Sequence, residues 1–390
     1  MITTLTTEKL PIQLWLEHLD EDTLQQAKNL ANHPFITHHI AIMPDAHVGY
    51  GMPIGGVAAT IDAIIPNGVG VDIGCGVNAV QTNLARLDRP VLKKLLQAIR
   101  TTIPLGFKHH SKPQPLETMP DSSALNERDF PIVSNEFASA RQQIGTLGGG
   151  NHFIEIQLSD DGHIWLMIHS GSRNLGYQVA NHYNRLAVTF SKKHNTGIAP
   201  KWQLDVLLLN SRHGQDYLRE MHYCVAFAAA NRKAMMIHLQ QLLGEVEPSV
   251  TFAPAIDIAH NYAAKERHFG AELTIHRKGA TRAGAGETGI IPGSQGSCSY
   301  IVQGCGNPQS FHSSSHGAGR VLGRKQAQRQ LDLQQEVKKL DDLGILHSIR
   351  HKRDLDEAAG AYKDIDQVMV NQTDLVKPVI RLTPLAVIKG

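Results

Sequence analysis

The chain lacks most of the features that give a quick functional reading. Its 390 residues hold four cysteines, Cys75, Cys224, Cys298 and Cys305, with no CxxC pair among them. That count excludes a disulfide framework in a chain of this size and fits reduced thiols in a cytoplasmic enzyme. Charge of one sign is also scarce: 38 Lys and Arg against 36 Asp and Glu leave a formal net charge of +2. A uniformly basic coat for nucleic acid is excluded, although a local basic groove is not. No apolar run approaches the ~20 residues that a spanning helix needs, so no membrane is expected. The first residues, MITTLTTEKLPIQLW, lack a basic segment followed by an apolar one, and a signal peptide is not expected.

Several nucleotide and metal motifs are missing too. There is no GxxxxGK[ST], no KxDG and no HExxH. GAGETG (284–289) matches GxGxxG, but Ile290-Ile291-Pro292-Gly293 follows and would stop the helix that a dinucleotide site requires. Any nucleotide is therefore held by an uncommon route.

What remains is a sufficient core and an unusual distribution of glycine and histidine. Hydrophobic residues make up 42% of the chain, and charged residues make up 19%, below the usual share of about 25%. This argues against disorder. The length allows one large domain or two to three ordinary ones. The 34 glycines gather into islands, and the 22 histidines are the compositional outlier. The islands are MPDAHVGYGMPIGG (43–56), NGVGVDIGCGVN (67–78), GTLGGGNHFIE (145–155), IHSGSRNLG (168–176), HRKGATRAGAG (276–286) and SSSHGAGR (313–320). Each carries a His, Asp or Cys. Glycine lets backbone approach a ligand closely, and such islands suggest one polar site built from many loops. Because they run from 43 to 320, a single catalytic domain is favoured over separate modules.

Periodicity places these islands on elements. A helix is expected over 21–32, strands over 57–65 and 77–82, and a helix from Asp88 to about Arg100. Residues 104–132 hold five prolines and read as a long surface loop or lid. FIEIQL (153–158) and HIWLMIH (163–169) read as a hairpin around 159–162. A long helix is expected over 215–243, with Tyr217, Met221, Cys224, Ala228 and Met235 on a core-facing stripe. Strands near 272–277 and 297–303, a helix over 323–343 and a final strand over 379–388 complete the reading.

Two constellations carry chemistry. Asp72 and Cys75 lie three apart in a glycine turn. His152 precedes one strand of the hairpin, His169 ends the other, and His260 follows IDIA. Oxygen, sulfur and nitrogen donors together suit a borderline divalent metal, and spacing does not tell zinc from manganese. A cysteine sulfur can bridge two ions, the usual clamp for phosphoryl displacement. Any one of these residues alone is more often a turn residue held by hydrogen bonds; the argument rests on their co-occurrence. The second constellation is His316, flanked by serines and glycines, with Arg320 and Arg324 close by. Its imidazole can serve as ligand, general base or nucleophile, beside arginines suited to phosphate.

Together these runs resemble the RtcB family of GTP- and manganese-dependent RNA ligases. The matching segments are MPDAHVGYGMPIGG, GVGVDIGCG, GTLGGGNHFIE, HSGSRNLG, AHNYA, PGSQGSCSY, SSSHGAGR, AYKDIDQV (361–368) and the final Ile388-Lys389-Gly390. The resemblance implies an α+β fold: one large domain over residues 1–390, with mixed and antiparallel sheets surrounded by helices and a central, loop-built active site. It implies two Mn²⁺ ions, one on Asp72, Cys75 and His260 and the other on Cys75, His152 and His169. His316 would take GMP from GTP, with Asp45 behind it or accepting a proton. Asn151 would contact the nucleotide phosphate. Phe153, Glu155, Ser294, Ser299, Ala318, Gly319, Tyr362 and Lys389 would surround guanine and ribose. Arg173, Arg320 and Arg324 would bind RNA phosphates. Glu155 can accept from guanine N1–H and N2–H and Lys389 can donate to O6, which gives GTP over ATP a chemical rationale.

The implied substrates are RNA ends, a 3′-phosphate or 2′,3′-cyclic phosphate and a 5′-hydroxyl, in repair or tRNA splicing. Two other readings stand beside this one: a metal-dependent phosphodiesterase without covalent nucleotide, and a non-catalytic RNA-end binder. The chain departs from the family in being short and in carrying Gln295 where PGSMG is usual. The short form resembles a bacterial branch linked to a release-factor homologue, whose substrate would be a cut ribosomal or other stable RNA.

Overall fold

The computed structural model describes every residue from Met1 to Gly390. Two antiparallel-rich sheets carry the molecule. The first has six strands in the order Thr3–Leu5, Ile12–Leu14, Ile36–His47, Ile54–Thr60, Ala271–Lys278, Asn261–His268. Its one parallel pair joins Ile12–Leu14 to Ile36–His47. The second has seven strands, in the order Ile256–Ala259, Gly76–Gln81, Ile164–Ser170, Phe153–Ser159, Val376–Lys389, Ser299–Gly304, Thr288–Ile291. This mixture of sheets and packed helices is the expected α+β class. No helix is long and apolar enough to cross a membrane.

The hairpin shows how sequence pattern positions the site. Successive side chains on a strand face opposite ways. Ile154 and Ile156 are fully buried in a cluster with Leu166, Ile168, Met235 and Leu239. Burial of such a side chain contributes about 1.5–3 kcal/mol. Phe153 and Glu155 therefore point the other way, into a cavity. The turn closes through Ser159 N–H to the His163 carbonyl at 2.9 Å, with Gly162 at a φ of 85°.

The helix Arg212–Val246 lies beneath the second sheet and is capped by Ser211, which accepts from Gly214 N–H at 3.1 Å. Tyr217, Met221, Cys224, Ala228 and Met235 are all fully buried, as the stripe predicts. The helices Glu21–Ala31 and Arg89–Thr102 and the strand Val376–Lys389 also fall where the pattern puts them.

Four expectations change. The strand expected over 57–65 breaks at Ile61-Asp62 into Ile54–Thr60 and Ala63–Ile64; Asp62 has a φ of 53°, outside the extended region. The helix expected over 323–343 is two, Arg324–Gln330 and Leu333–Asp342, because Asp332 caps the second by accepting from Gln335 N–H. Two further helices, Pro131–Gln143 and Arg173–His194, were not anticipated. In the latter, Leu175, Val179, Ala180, Tyr183 and Ala187 form a buried stripe, which the glycine island at its start obscures. The strands Ile36–His47 and Asn261–His268 were also missed.

Candidate active site

Five of the anticipated donors converge. Cys75 Sγ lies 3.3 Å from both His152 Nε2 and His169 Nε2. His152 Nε2 is 3.0 Å from Asp72 Oδ2, and His169 Nε2 is 3.3 Å from His260 Nε2. Their donor atoms form two triads, Asp72–Cys75–His152 and Cys75–His169–His260. Cys75 is shared, as expected, but His152 and His260 stand in the opposite triads from those implied by the resemblance. The direct contacts of His152 with Asp72 and of His260 with His169 set this grouping.

The backbone explains the convergence. Cys75 follows Gly74, whose φ is 74° and where a Cβ would lie 2.7 Å from Val225 Cα. Gly171 packs its α-carbon on the Asp72 carboxylate and leaves no room for a side chain. His260 N–H donates to the Cys75 carbonyl at 2.8 Å. His169 is the cross-strand partner of Phe153, the residue after His152.

The helix Arg212–Val246 pins these loops with two polar side chains on its buried face. Arg232 forms a bidentate pair with Asp257 at 2.7 Å and donates to the Gly74 and Ser170 carbonyls. Asn231 Oδ1 accepts from Gly145 and Thr146 N–H, and its Nδ2 donates to the Gly171 carbonyl. Neither residue was anticipated. The available signal was their place, polar and adjacent, within an apolar stripe.

The chemistry of the donor set fits divalent cations. Burial pushes the Cys75 thiol up, and the neighbouring Asp72 charge adds to this. Burial pushes the His169 and His260 imidazoles well down, so both stay neutral. Burial alone would raise the Asp72 carboxyl, but contact with His152 brings it down to about 2. The buried Nδ1 atoms of His152 and His260 have no hydrogen-bond partner. A neutral imidazole can ligate, and a cation would favour the thiolate that the protein alone disfavours.

His316 adjoins this centre, its ring centroid 4.7 Å from that of His260. Its Nδ1 is 2.6 Å from Asp45 Oδ2. Asp45 is fully buried and also accepts from His316 N–H at 3.1 Å and Gly317 N–H at 3.3 Å. A proton on Nδ1 beside this carboxylate leaves the lone pair on Nε2.

His316 and His169 line a cavity of about 710 Å³, together with Asn151, Phe153, Glu155, Ser294, Ala318, Gly319, Tyr362 and Lys389. Lys389 Nζ lies 5.4 Å from the centre of the Phe153 ring and donates to the Asn151 carbonyl at 3.3 Å. Burial pushes the Glu155 carboxyl up to about 8 against the Lys389 ammonium. Burial likewise lowers Lys389, opposed by Glu357 and Glu155. Ser299 is not on the wall. It lies behind it, accepting from Gln157 at 3.0 Å and from Gly293 N–H at 3.1 Å.

The three arginines differ from one another. Arg320 and Arg324 line the cavity. Arg320 is engaged by Glu357, the Leu322 and Asp356 carbonyls and the Tyr362 ring, so its guanidinium organises the wall. Arg324 donates through Nε to Glu357 at 2.8 Å and keeps a half-exposed side chain. Arg173 is turned inward, to Thr146 Oγ1 at 3.1 Å and the Gly106 carbonyl at 2.8 Å. Glu357, which also accepts from the Tyr362 hydroxyl, is the hub of this wall. It was missed because it lies in the charged run KRDLDE.

The profile of "tRNA-splicing ligase RtcB" matches residues 26–390. The chain belongs to the RtcB family. An RtcB relative from Escherichia coli, "RNA-splicing ligase RtcB1", is 38% identical, with 99% of each chain covered. The "tRNA-splicing ligase RtcB" of Thermococcus kodakarensis is 33% identical, covering 96% of this chain and 92% of its own. The chain is thus as long as the former relative, and its brevity holds only against the latter. RtcB membership together with the Cys, His and Asp cluster points to metal use.

Proposed function

We propose that this chain, an RNA ligase by family, joins RNA 3′-phosphate or 2′,3′-cyclic phosphate ends to 5′-hydroxyl ends, using GTP and two Mn²⁺ ions. The observation that carries this reading is the position of His316: on the wall of a cavity with groups complementary to guanine, and edge-on to a cysteine-bridged donor cluster. The proposed site residues run from Asp45 to Lys389, so the catalytic unit is the whole chain.

Asp72, Cys75, His152, His169 and His260 would hold the ions, which supply Lewis-acid charge to phosphoryl oxygens. The His316 Nε2 lone pair attacks the α-phosphorus of GTP. A P–N bond forms, the bond to the β-phosphate breaks, and pyrophosphate leaves. Asp45 orients the ring and stabilises the positive charge that develops on it. Glu155 and Lys389 read the Watson–Crick edge of guanine, and Phe153 offers an apolar face. Tyr362 and the Ala318-Gly319 backbone border the ribose. Asn151 contacts phosphate.

GMP then passes from His316 to the RNA 3′-phosphate, a cyclic end having first been opened. The 5′-hydroxyl attacks that phosphate, a phosphodiester forms, and GMP departs. A 3′-phosphate dianion is otherwise a poor electrophile. Arg324 is positioned for the RNA backbone, while Arg173 and Arg320 shape the site from within. A cytoplasmic location and a role in RNA repair or tRNA splicing accord with this chemistry.

The test is covalent labelling. Incubation with α-labelled GTP and Mn²⁺ should leave acid-labile label on the wild type and none on a folded His316→Ala variant. A wild type that takes no label yet cleaves RNA would favour the phosphodiesterase reading.

A further inference from the structure

Gln295 lies in the turn PGSQG and lines the cavity beside Phe153, Glu155, Tyr362 and Lys389. It is 4% exposed. Its Nε2 donates to the Glu357 carbonyl at 2.7 Å. A backbone carbonyl only accepts, so this bond fixes the amide: nitrogen faces Glu357 and Oε1 faces away. Oε1 is buried and has no partner. Among the residues lining the cavity, Gln295 alone carries a side-chain oxygen in that state. Native structures rarely leave a buried acceptor unmet, and in a binding cavity the missing donor is expected on the ligand.

Guanine has a donor to spare. The Glu155 carboxylate can take N1–H and one hydrogen of the exocyclic 2-amino group, and Lys389 can donate to O6. The second amino hydrogen then needs an acceptor in a buried site. We propose that Gln295 is a specificity-determining residue of this pocket, its Oε1 accepting a hydrogen bond from the 2-amino group of a guanine nucleotide. This rests on the GTP reading above.

The experiment compares the full-length wild type with Q295M and Q295L, which roughly keep volume but lose the acceptor. The rate of covalent labelling is measured with α-labelled GTP, inosine triphosphate, which lacks the 2-amino group, and 2′-deoxy-GTP. The wild type should prefer GTP to inosine triphosphate. The variants should lose about five- to tenfold of that preference, the worth of one hydrogen bond, with the GTP to 2′-deoxy-GTP ratio unchanged. Loss of the Glu357 contact slows all three nucleotides alike and cancels in the ratios. An unchanged GTP to inosine ratio would overturn the proposal and leave Gln295 as a strut for Glu357. A change confined to the deoxy ratio would overturn it in favour of a ribose hydroxyl. A wild type indifferent to the 2-amino group would overturn it even if neither variant folds. A wild type labelled by no nucleotide would instead sink the ligase reading, and this proposal with it.

Discussion

At the scale of single residues, the pairing of Asp45 with His316 governs the proposed chemistry. Asp45 Oδ2 serves the imidazole Nδ1 and two backbone amides at once. Asp45→Asn keeps an acceptor for the amides and removes the charge. Single-turnover labelling by GTP should therefore slow by about a hundredfold or more, with GTP affinity nearly unchanged. An unaltered rate would take Asp45 out of the mechanism. His316, Cys75 and Asp72 were legible because each stands in a glycine island, where little but chemistry explains the composition. Glu357, Asn231 and Arg232 were not, because each sits in a segment whose dominant pattern has an ordinary structural meaning. Ser299 shows the opposite failure. Its run matches the family, yet its hydroxyl is spent on Gln157 and Gly293 behind the cavity wall.

Among elements, the helix Arg212–Val246 bears most on the site. Arg232 is fully buried, and its guanidinium joins Asp257 to the Gly74 and Ser170 carbonyls. Arg232→Met fills similar space but leaves a carboxylate and two carbonyls without their donor. Thermal or urea unfolding should show a loss of about 3 kcal/mol. Equilibrium dialysis should show weaker Mn²⁺ binding at the same time. Loss of stability without loss of metal affinity would show that the Gly74 turn stands unaided. Elements with a clean period were readable from sequence: this helix, the hairpin over 153–169 and the final strand. Arg173–His194 was not. Its apolar positions keep helical spacing, but asparagines, histidines and an early glycine dilute the signal, and packing against neighbouring helices decides it.

For the molecule as a whole, buried histidines set the response to acid. His33 donates from Nε2 to the Leu204 carbonyl at 2.9 Å and accepts at Nδ1 from Phe35 N–H. His276 Nε2 accepts from Ile65 N–H at 3.0 Å. Both rings are thereby held neutral, and burial lowers each to about 4. The unfolded chain binds these protons near pH 6.5 and the folded chain only near 4. Stability is thus intact above 6.5 and is lost as pH falls toward 4, by on the order of 3 kcal/mol for each ring. A second loss follows between about 4.5 and 2. Burial alone would raise the Glu266 carboxyl, but its pairing with Arg277 brings it down to about 2. Urea midpoints at pH 7, 5.5 and 4.5 should fall in that order, and a flat series would show that the rings protonate freely. The α+β class was readable because strand and helix periods alternate along the chain. Strand order was not, because it depends on pairings such as Ala271–Lys278 with Ile54–Thr60, more than two hundred residues apart.

Asn231 and Arg232 are consecutive, and each grips a different glycine-rich segment of the same donor cluster. Together with the shared sulfur of Cys75, this couples the two ion positions mechanically. Whichever position fills first stiffens backbone that the other depends on, so loading should be cooperative, and the pair should come and go together.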